Sequence, residues 1–136
     1  KGYTPKIKNL RITDEDGNDY TEDVIANPNY TILIVEGNLD ETNQDAQKRI
    51  NQIALGAEEY TIRTVGITSA LPYDAEVFRH NVNAYYEFYF LDATEIKSMI
   101  RANPGMLLLK NGVVINKWHY NDIPTYAELK AEYFDN

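Results

Sequence analysis

Two apolar runs, Met106-Leu-Leu-Leu-Lys110 and Val113-Val-Ile-Asn-Lys-Trp118, are separated by Asn111-Gly112 alone. Asn-Gly between β-rich runs predicts a two-residue hairpin, because both residues accept the positive φ that a primed turn demands. Antiparallel pairing is thereby expected near the C-terminal end. A second run, Tyr30-Thr-Ile-Leu-Ile-Val-Glu36, is apolar almost without interruption. Continuous rather than alternating hydrophobicity suits a central strand buried on both faces, as in a parallel sheet covered by helices. A chain that needs both kinds of strand has to build a mixed sheet.

The remaining segments supply the layers. Lys6 to Ile12 alternates polar and apolar residues, Asp14-Glu-Asp-Gly17 interrupts, and Asp19 to Val24 continues more weakly, which predicts an N-terminal β-hairpin turning at Asp16-Gly17. The acidic cluster is not a helix-loop-helix calcium loop: that loop needs glycine at its sixth position, and counting from Asp14 the sixth is Asp19. Asp40 or Thr42 is expected to cap a helix whose stripe is Ala46, Ile50, Ile53 and Ala54, with Gly56 ending it. Thr61 to Ile67 is β-rich. Leu71-Pro-Tyr73 then marks a break before a helix opened by Asp74, which groups Val77, Phe78 and Val82. Tyr85 to Leu91 returns as strand. Asp92-Ala-Thr-Glu95 has capping-box form and starts a helix burying Ile96, Met99 and Ile100, which must stop before Asn103-Pro104. Thr125-Tyr-Ala-Glu128 is a second capping box, leading a helix with Tyr126, Leu129 and Tyr133 on one face. The order is hairpin, β, α, β, α, β, α, hairpin, α: an α/β sandwich with a mixed sheet, read as one domain over residues 1–136.

Composition bounds function. Thirteen basic against twenty-one acidic residues give a net charge of -8, which opposes binding to nucleic acid or anionic lipid. The apolar runs Ile32 to Val35 and Met106 to Leu109 are far shorter than the roughly 20 residues of a spanning helix. Direct membrane insertion by this segment is therefore not expected. The chain opens on Lys1 without an apolar signal core, and the expectation is a mature product or a piece of something longer. Five of its fifteen Tyr and Phe residues crowd into Tyr85-Tyr-Glu-Phe-Tyr-Phe90. They read as a strand covering a sheet face, with a homodimer edge as the sharper alternative.

Cysteine is absent altogether. Disulfide exchange needs a thiolate to attack and to leave, so this chain cannot shuttle disulfides. Only two histidines, His80 and His119, are present, too few for a zinc site without added carboxylates. Neither serine, Ser69 or Ser98, lies in a Gly-x-Ser-x-Gly elbow, and no Gly-rich phosphate cradle occurs. Neither a cofactor nor a metal is expected. One enzymatic alternative remains, acid-base chemistry by His119 with Tyr120 and Asp122, although no nucleophile or oxyanion donor is evident for it. The segment Asp40-Glu41-Thr42-Asn43 has the composition of a helix cap, with acidic groups favoured at the first turn.

Four pieces, in order and spacing, resemble the thioredoxin-like fold as found in peroxiredoxins and periplasmic thiol-disulfide oxidoreductases. They are Asp14-Glu-Asp-Gly-Asn18, Tyr30 to Glu36 leading to Asp40-Glu-Thr-Asn43, Phe88-Tyr-Phe-Leu-Asp92, and Asn103-Pro-Gly-Met-Leu-Leu-Leu-Lys-Asn-Gly112. The resemblance implies that Pro104 is a cis proline facing the places of the two cysteines, here Asp40 and Asn43, while Gly105 replaces the usual threonine. It also implies a groove in which backbone before the proline pairs with an extended peptide, a mode that needs no thiol. Asp40, Glu41, Thr42, Asn43, Asn103 and Pro104 are the binding candidates, with no catalytic role carried over. A closer likeness is to the soluble tail of some bacterial membrane proteins of the DoxX family, through Tyr3-Thr-Pro-Lys-Ile-Lys-Asn-Leu, Asn38-Leu-Asp40, Ala102-Asn-Pro-Gly-Met-Leu-Leu-Leu-Lys and Lys117-Trp-His-Tyr-Asn-Asp122. It implies membrane helices before Lys1, a location on the periplasmic side of the cytoplasmic membrane, and a protein or peptide partner, the protein's own membrane segment included. A redox-inactive binding or scaffolding domain is the resulting expectation.

Overall fold

Strand β1 (Tyr30–Val35) is buried along nearly its whole length, and the computed structural model, which describes residues 10–135, places it at the centre of the sheet. Around it stand α1 (Thr21–Ile25), α2 (Gln44–Ala57), β2 (Arg63–Thr68), α3 (Pro72–Val82), β3 (Glu87–Phe90), α4 (Ala93–Met99), β4 (Gly105–Lys110), β5 (Val113–His119) and α5 (Tyr126–Leu129). The five-stranded sheet has the order β3-β2-β1-β4-β5. β1 runs parallel to β2, with Leu33 opposite Val65, and antiparallel to β4, with Leu33 opposite Leu107. β3 extends the parallel side and β5 the antiparallel side. Asn111 and Gly112 carry φ of 54° and 75°, the positive pair that the hairpin between β4 and β5 needs.

Alternation along β1 divides the core in two. Leu33 and Val35 join Ile67, Ile96, Met99, Ile100, Leu107 and Leu109 on the face covered by α1 and α4. Ile32 and Ile34 join Ile50, Ile53, Met106, Leu108, Leu129 and Phe134 on the face covered by α2 and α5. The buried stripe expected at Ile96, Met99 and Ile100 is present, as is the reciprocal capping box of Thr125 and Glu128.

Several local expectations are corrected. Among the described residues the N-terminal hairpin keeps its turn: the Asp14 carboxylate accepts from the backbone N–H of Asp16 and Asn18, and Thr13 pairs with Asp19. The return arm is helix α1, because Val24 and Ile25 are both buried and a strand would send such neighbours to opposite faces. Residues 6–9 of the first arm lie outside the described residues. Thr13 instead bonds Phe90 through both backbone groups, at 3.0 and 2.8 Å, covering one end of β3. Neither Asp40 nor Thr42 caps α2; Asn43 does, accepting from Ala46 N–H at 2.9 Å. Gly56 does not end that helix, which runs to Ala57. A Cβ at Gly56 would lie 2.5 Å from the Tyr126 ring, so the glycine makes room for α5. Helix α3 begins at Pro72 rather than Asp74, and Val77 is 40% exposed rather than grouped with buried Phe78.

Candidate functional site

Antiparallel pairing of β1 with β4 sets Val35 opposite Gly105, so the chain leaving β1 meets the chain entering β4. The meeting is a reciprocal clasp: Asn38 N–H donates to Asn103 Oδ1 at 3.2 Å, and Asn103 Nδ2 donates to Asn38 O at 2.7 Å. The Asn103–Pro104 peptide bond is cis. Asn38 also organises the loop after β1, accepting from Asp40 N–H at 3.1 Å and donating to Glu41 Oε1 at 3.2 Å, while Thr42 Oγ1 donates to its carbonyl at 3.3 Å. A single 3₁₀ turn, Leu39–Glu41, results, and Asn43 then opens α2.

The six residues singled out in the sequence thus divide. Asp40, Glu41 and Asn43 are exposed, Thr42 is 6% exposed, Asn103 is half-buried and Pro104 is buried. Asp40 to Thr42 and Asn103 are brought together only through Asn38, a residue quoted for the DoxX likeness but not put in the site. No backbone group of Ala102 or Asn103 is hydrogen-bonded to the backbone of a described residue. Beside the clasp lies a cavity of about 270 Å³ between Gly37, Asn38, Ser69, Asn103 and α4; Asp40 to Asn43 and Pro104 do not line it.

Beneath the clasp is a polar cluster that the sequence reading missed. Glu36 follows β1 on the face of Ile32 and Ile34 and is 0% exposed. Its Oε1 accepts from Tyr86 OH at 2.7 Å, and that hydroxyl accepts from Gln47 Nε2 at 2.8 Å. Gln47 Nε2 also donates to Asn51 Oδ1, and Asn51 Nδ2 to Val82 O. Glu36 Oε2 and Gln47 Oε1 have no hydrogen-bond partner among the described residues. Burial pushes the Glu36 carboxyl up to about 8, against the opposing Tyr86 hydrogen bond, and burial also raises the Tyr86 hydroxyl. Near neutral pH Glu36 is therefore mainly the uncharged acid, since an unpaired carboxylate in an apolar layer is costly. The signal was legible in principle: period two along Ile32, Ile34 and Glu36 points all three into one layer.

The alternative centre does not assemble. His119 and Asp122 are exposed, Tyr120 packs on the α2 side, and no hydrogen bond or ion pair joins the His119 side chain to a described residue. A general base has to be oriented toward the proton it takes, and no described residue orients this one. His80 is also exposed, 3.7 Å from Glu76. Among the described residues no cluster of three or more His, Cys, Asp or Glu side chains is placed to hold a metal, and no helix is long and apolar enough to cross a membrane. In the aromatic run, Tyr86 and Tyr89 are buried whereas Tyr85 is 78% exposed at the edge of the sheet.

No family model and no curated protein sequence matches the chain. Solved structures do. A thiol:disulfide interchange protein from Bacteroides sp. superposes with a TM-score of 0.72 at 11% identity, covering 99% of this chain and 91% of that one. The thioredoxin domain of a thiol-disulfide oxidoreductase from Bacteroides vulgatus gives 0.69 at 13% identity, with 97% and 99% covered. A peroxiredoxin-like protein from Aquifex aeolicus gives 0.64 at 14% identity, with 99% and 87% covered. Identities so low speak for architecture alone. Together with the mixed five-stranded sheet and the proline turn entering β4, they establish that this cysteine-free chain has the thioredoxin-like fold.

Proposed function

We propose that the protein is a redox-inactive binding module that captures an extended peptide or protein segment where β1 and β4 meet. The observation that carries this reading is the pairing of a complete absence of cysteine with a loop still clasped to the cis-proline turn by Asn38 and Asn103. Thiol chemistry is gone, yet the backbone groups of Ala102 and Asn103 are bonded to no described residue's backbone, which leaves them to strand addition. The Asp40 to Asn43 segment borders this place, ending in the Asn43 cap of α2, so its acidic side chains are a rim rather than the floor.

The DoxX-type resemblance supports a finer reading, in which the domain is the extracytoplasmic part of a membrane-attached protein and scaffolds that protein's own membrane segment or a neighbour. A homodimer through β3, whose exposed Tyr85 flanks the sheet edge, is the competing arrangement. A photo-crosslinking residue at Asn103 in the full-length protein is expected to trap a partner in its native host, while one at exposed Leu55, on α2, is not. Equal labelling from both positions, or a crosslinked pair of identical chains from Tyr85 only, would displace the groove. Protease accessibility in spheroplasts tests the location.

A further inference from the structure

In a chain of net charge -8, concave surface should on average be acidic, and two of the four described cavities carry an excess of carboxylates. One cavity of about 680 Å³ is lined by Asp14, Glu15, Asp16, Glu76 and Glu87 against the lone Arg79. A second of about 660 Å³ sets Glu58 and Glu87 against Arg63, and a third of about 440 Å³ sets Glu132 against Lys110. The cavity of about 270 Å³ beside the clasp inverts this pattern. Lys97 and Arg101 line it, and no carboxylate does. Neither cation forms an ion pair or a hydrogen bond with a described residue, although every other described cavity with an arginine has that arginine engaged by Asp23 or Glu76. Their neighbours in the lining are Ile96 and Ile100, both buried, with Ala93, Ala102 and Gly37 leaving the space that larger side chains would fill. Ser69 adds a hydroxyl, at the C-terminal end of β2.

Two unpaired cations over an aliphatic floor recognise a monoanion with an apolar body. Arginine favours a carboxylate because its planar fork matches the two oxygens, and the lysine adds a point charge from the same rim. The volume lies just under the ~300–1,000 Å³ typical of sites for drug-sized molecules, so the body is short. The geometry points to a carboxylate-binding site for a short aliphatic acid group, such as the C-terminal residue of the captured peptide. Only the peptidic source of the carboxylate rests on the peptide-capture reading; the chemistry of the cavity stands apart from it.

The test is calorimetric titration of the intact protein with N-acetyl-Ala-Ala-Leu as free acid, the same tripeptide as its C-terminal amide, and 4-methylpentanoate. The free acid is expected to bind at least tenfold more tightly than the amide, to weaken as salt is raised from 50 to 300 mM, and to lose tenfold or more in a Lys97→Ala/Arg101→Ala variant. Both substituted side chains are exposed, so the melting temperature should not move. Amide perturbations at Ser69, Ala102 and Ile96 in heteronuclear spectra should accompany binding. Binding of 4-methylpentanoate without the tripeptide would uphold the carboxylate site and remove peptide capture. Equal binding of acid and amide, or indifference to the double substitution, would overturn the carboxylate site while leaving capture standing. If none of the three probes binds, the site is refuted.

Discussion

The loop above the β1 and β4 ends and the layer directly beneath it solve opposite problems with the same residue types. In the loop, Asn38, Asp40, Glu41 and Thr42 use side-chain and backbone groups on one another, Asn43 caps α2, and the groups left over are exposed to solvent. Two residues below, Glu36, Tyr86 and Gln47 are buried, and two of their oxygens find no partner among the described residues. The comparison teaches that polarity in this fold is cheap where it caps a helix end and costly where it fills the core, so function and stability sit on adjacent storeys.

The sharpest way to break the contrast is pH. The folded state holds the Glu36 proton up to about pH 8, whereas an unfolded carboxyl releases it near its ordinary value of 4.5. Between those values the native state binds more protons than the unfolded one, so stability is greatest below the lower value and falls as pH rises through the window. The loss by pH 9 is on the order of 4 kcal/mol if the layer does not relax. Urea unfolding at pH 5 and pH 9 measures it, and Glu36→Gln should flatten the slope; an equal slope in that variant would assign the pH dependence elsewhere.

Next in size, Tyr86→Phe removes the donor to Glu36 and one of the two acceptors of Gln47 Nε2, so that Glu36 Oε1 loses its partner and Gln47 Nε2 keeps only Asn51. A destabilisation of about 2–3 kcal/mol is expected at pH 6, read by thermal or urea unfolding. Above it, Asn103→Ala opens the clasp where solvent can substitute. About 1 kcal/mol is expected, with faster amide exchange confined to residues 37–42 rather than spread over the sheet. Smallest, Asp40→Ala/Glu41→Ala should change stability by no more than about 0.5 kcal/mol. An effect as large as that of Tyr86→Phe would show that the loop, too, is structurally committed, and the contrast would fail.

How far the sequence could be read follows the range of the interactions involved. The Asn111-Gly112 hairpin, the Thr125 capping box and the α4 stripe depend on neighbours within a few positions, and each appears where expected. The N-terminal hairpin failed because Val24 and Ile25 are both drawn into the core, a demand set by distant residues. Gly56 looked like a helix stop, but its role comes from Tyr126, seventy positions on. In the site, Asn103 and the cap composition of Asp40 to Asn43 were legible, whereas Asn38 became visible only through its bonds to Asn103. Lys97 and Arg101 gave no sign at all, since an unpaired cation looks the same in sequence as a paired one.

By itself the sequence determined the order and type of the elements from β1 onward and the lack of thiol chemistry, because helix and strand periods, turn residues and the absence of a residue type are local or compositional properties. Tertiary structure alone decided which polar groups are paired, which carboxyl is forced to keep its proton and which cavity collects positive charge. Those depend on burial and on distances across the sheet, and no spacing along the chain encodes either.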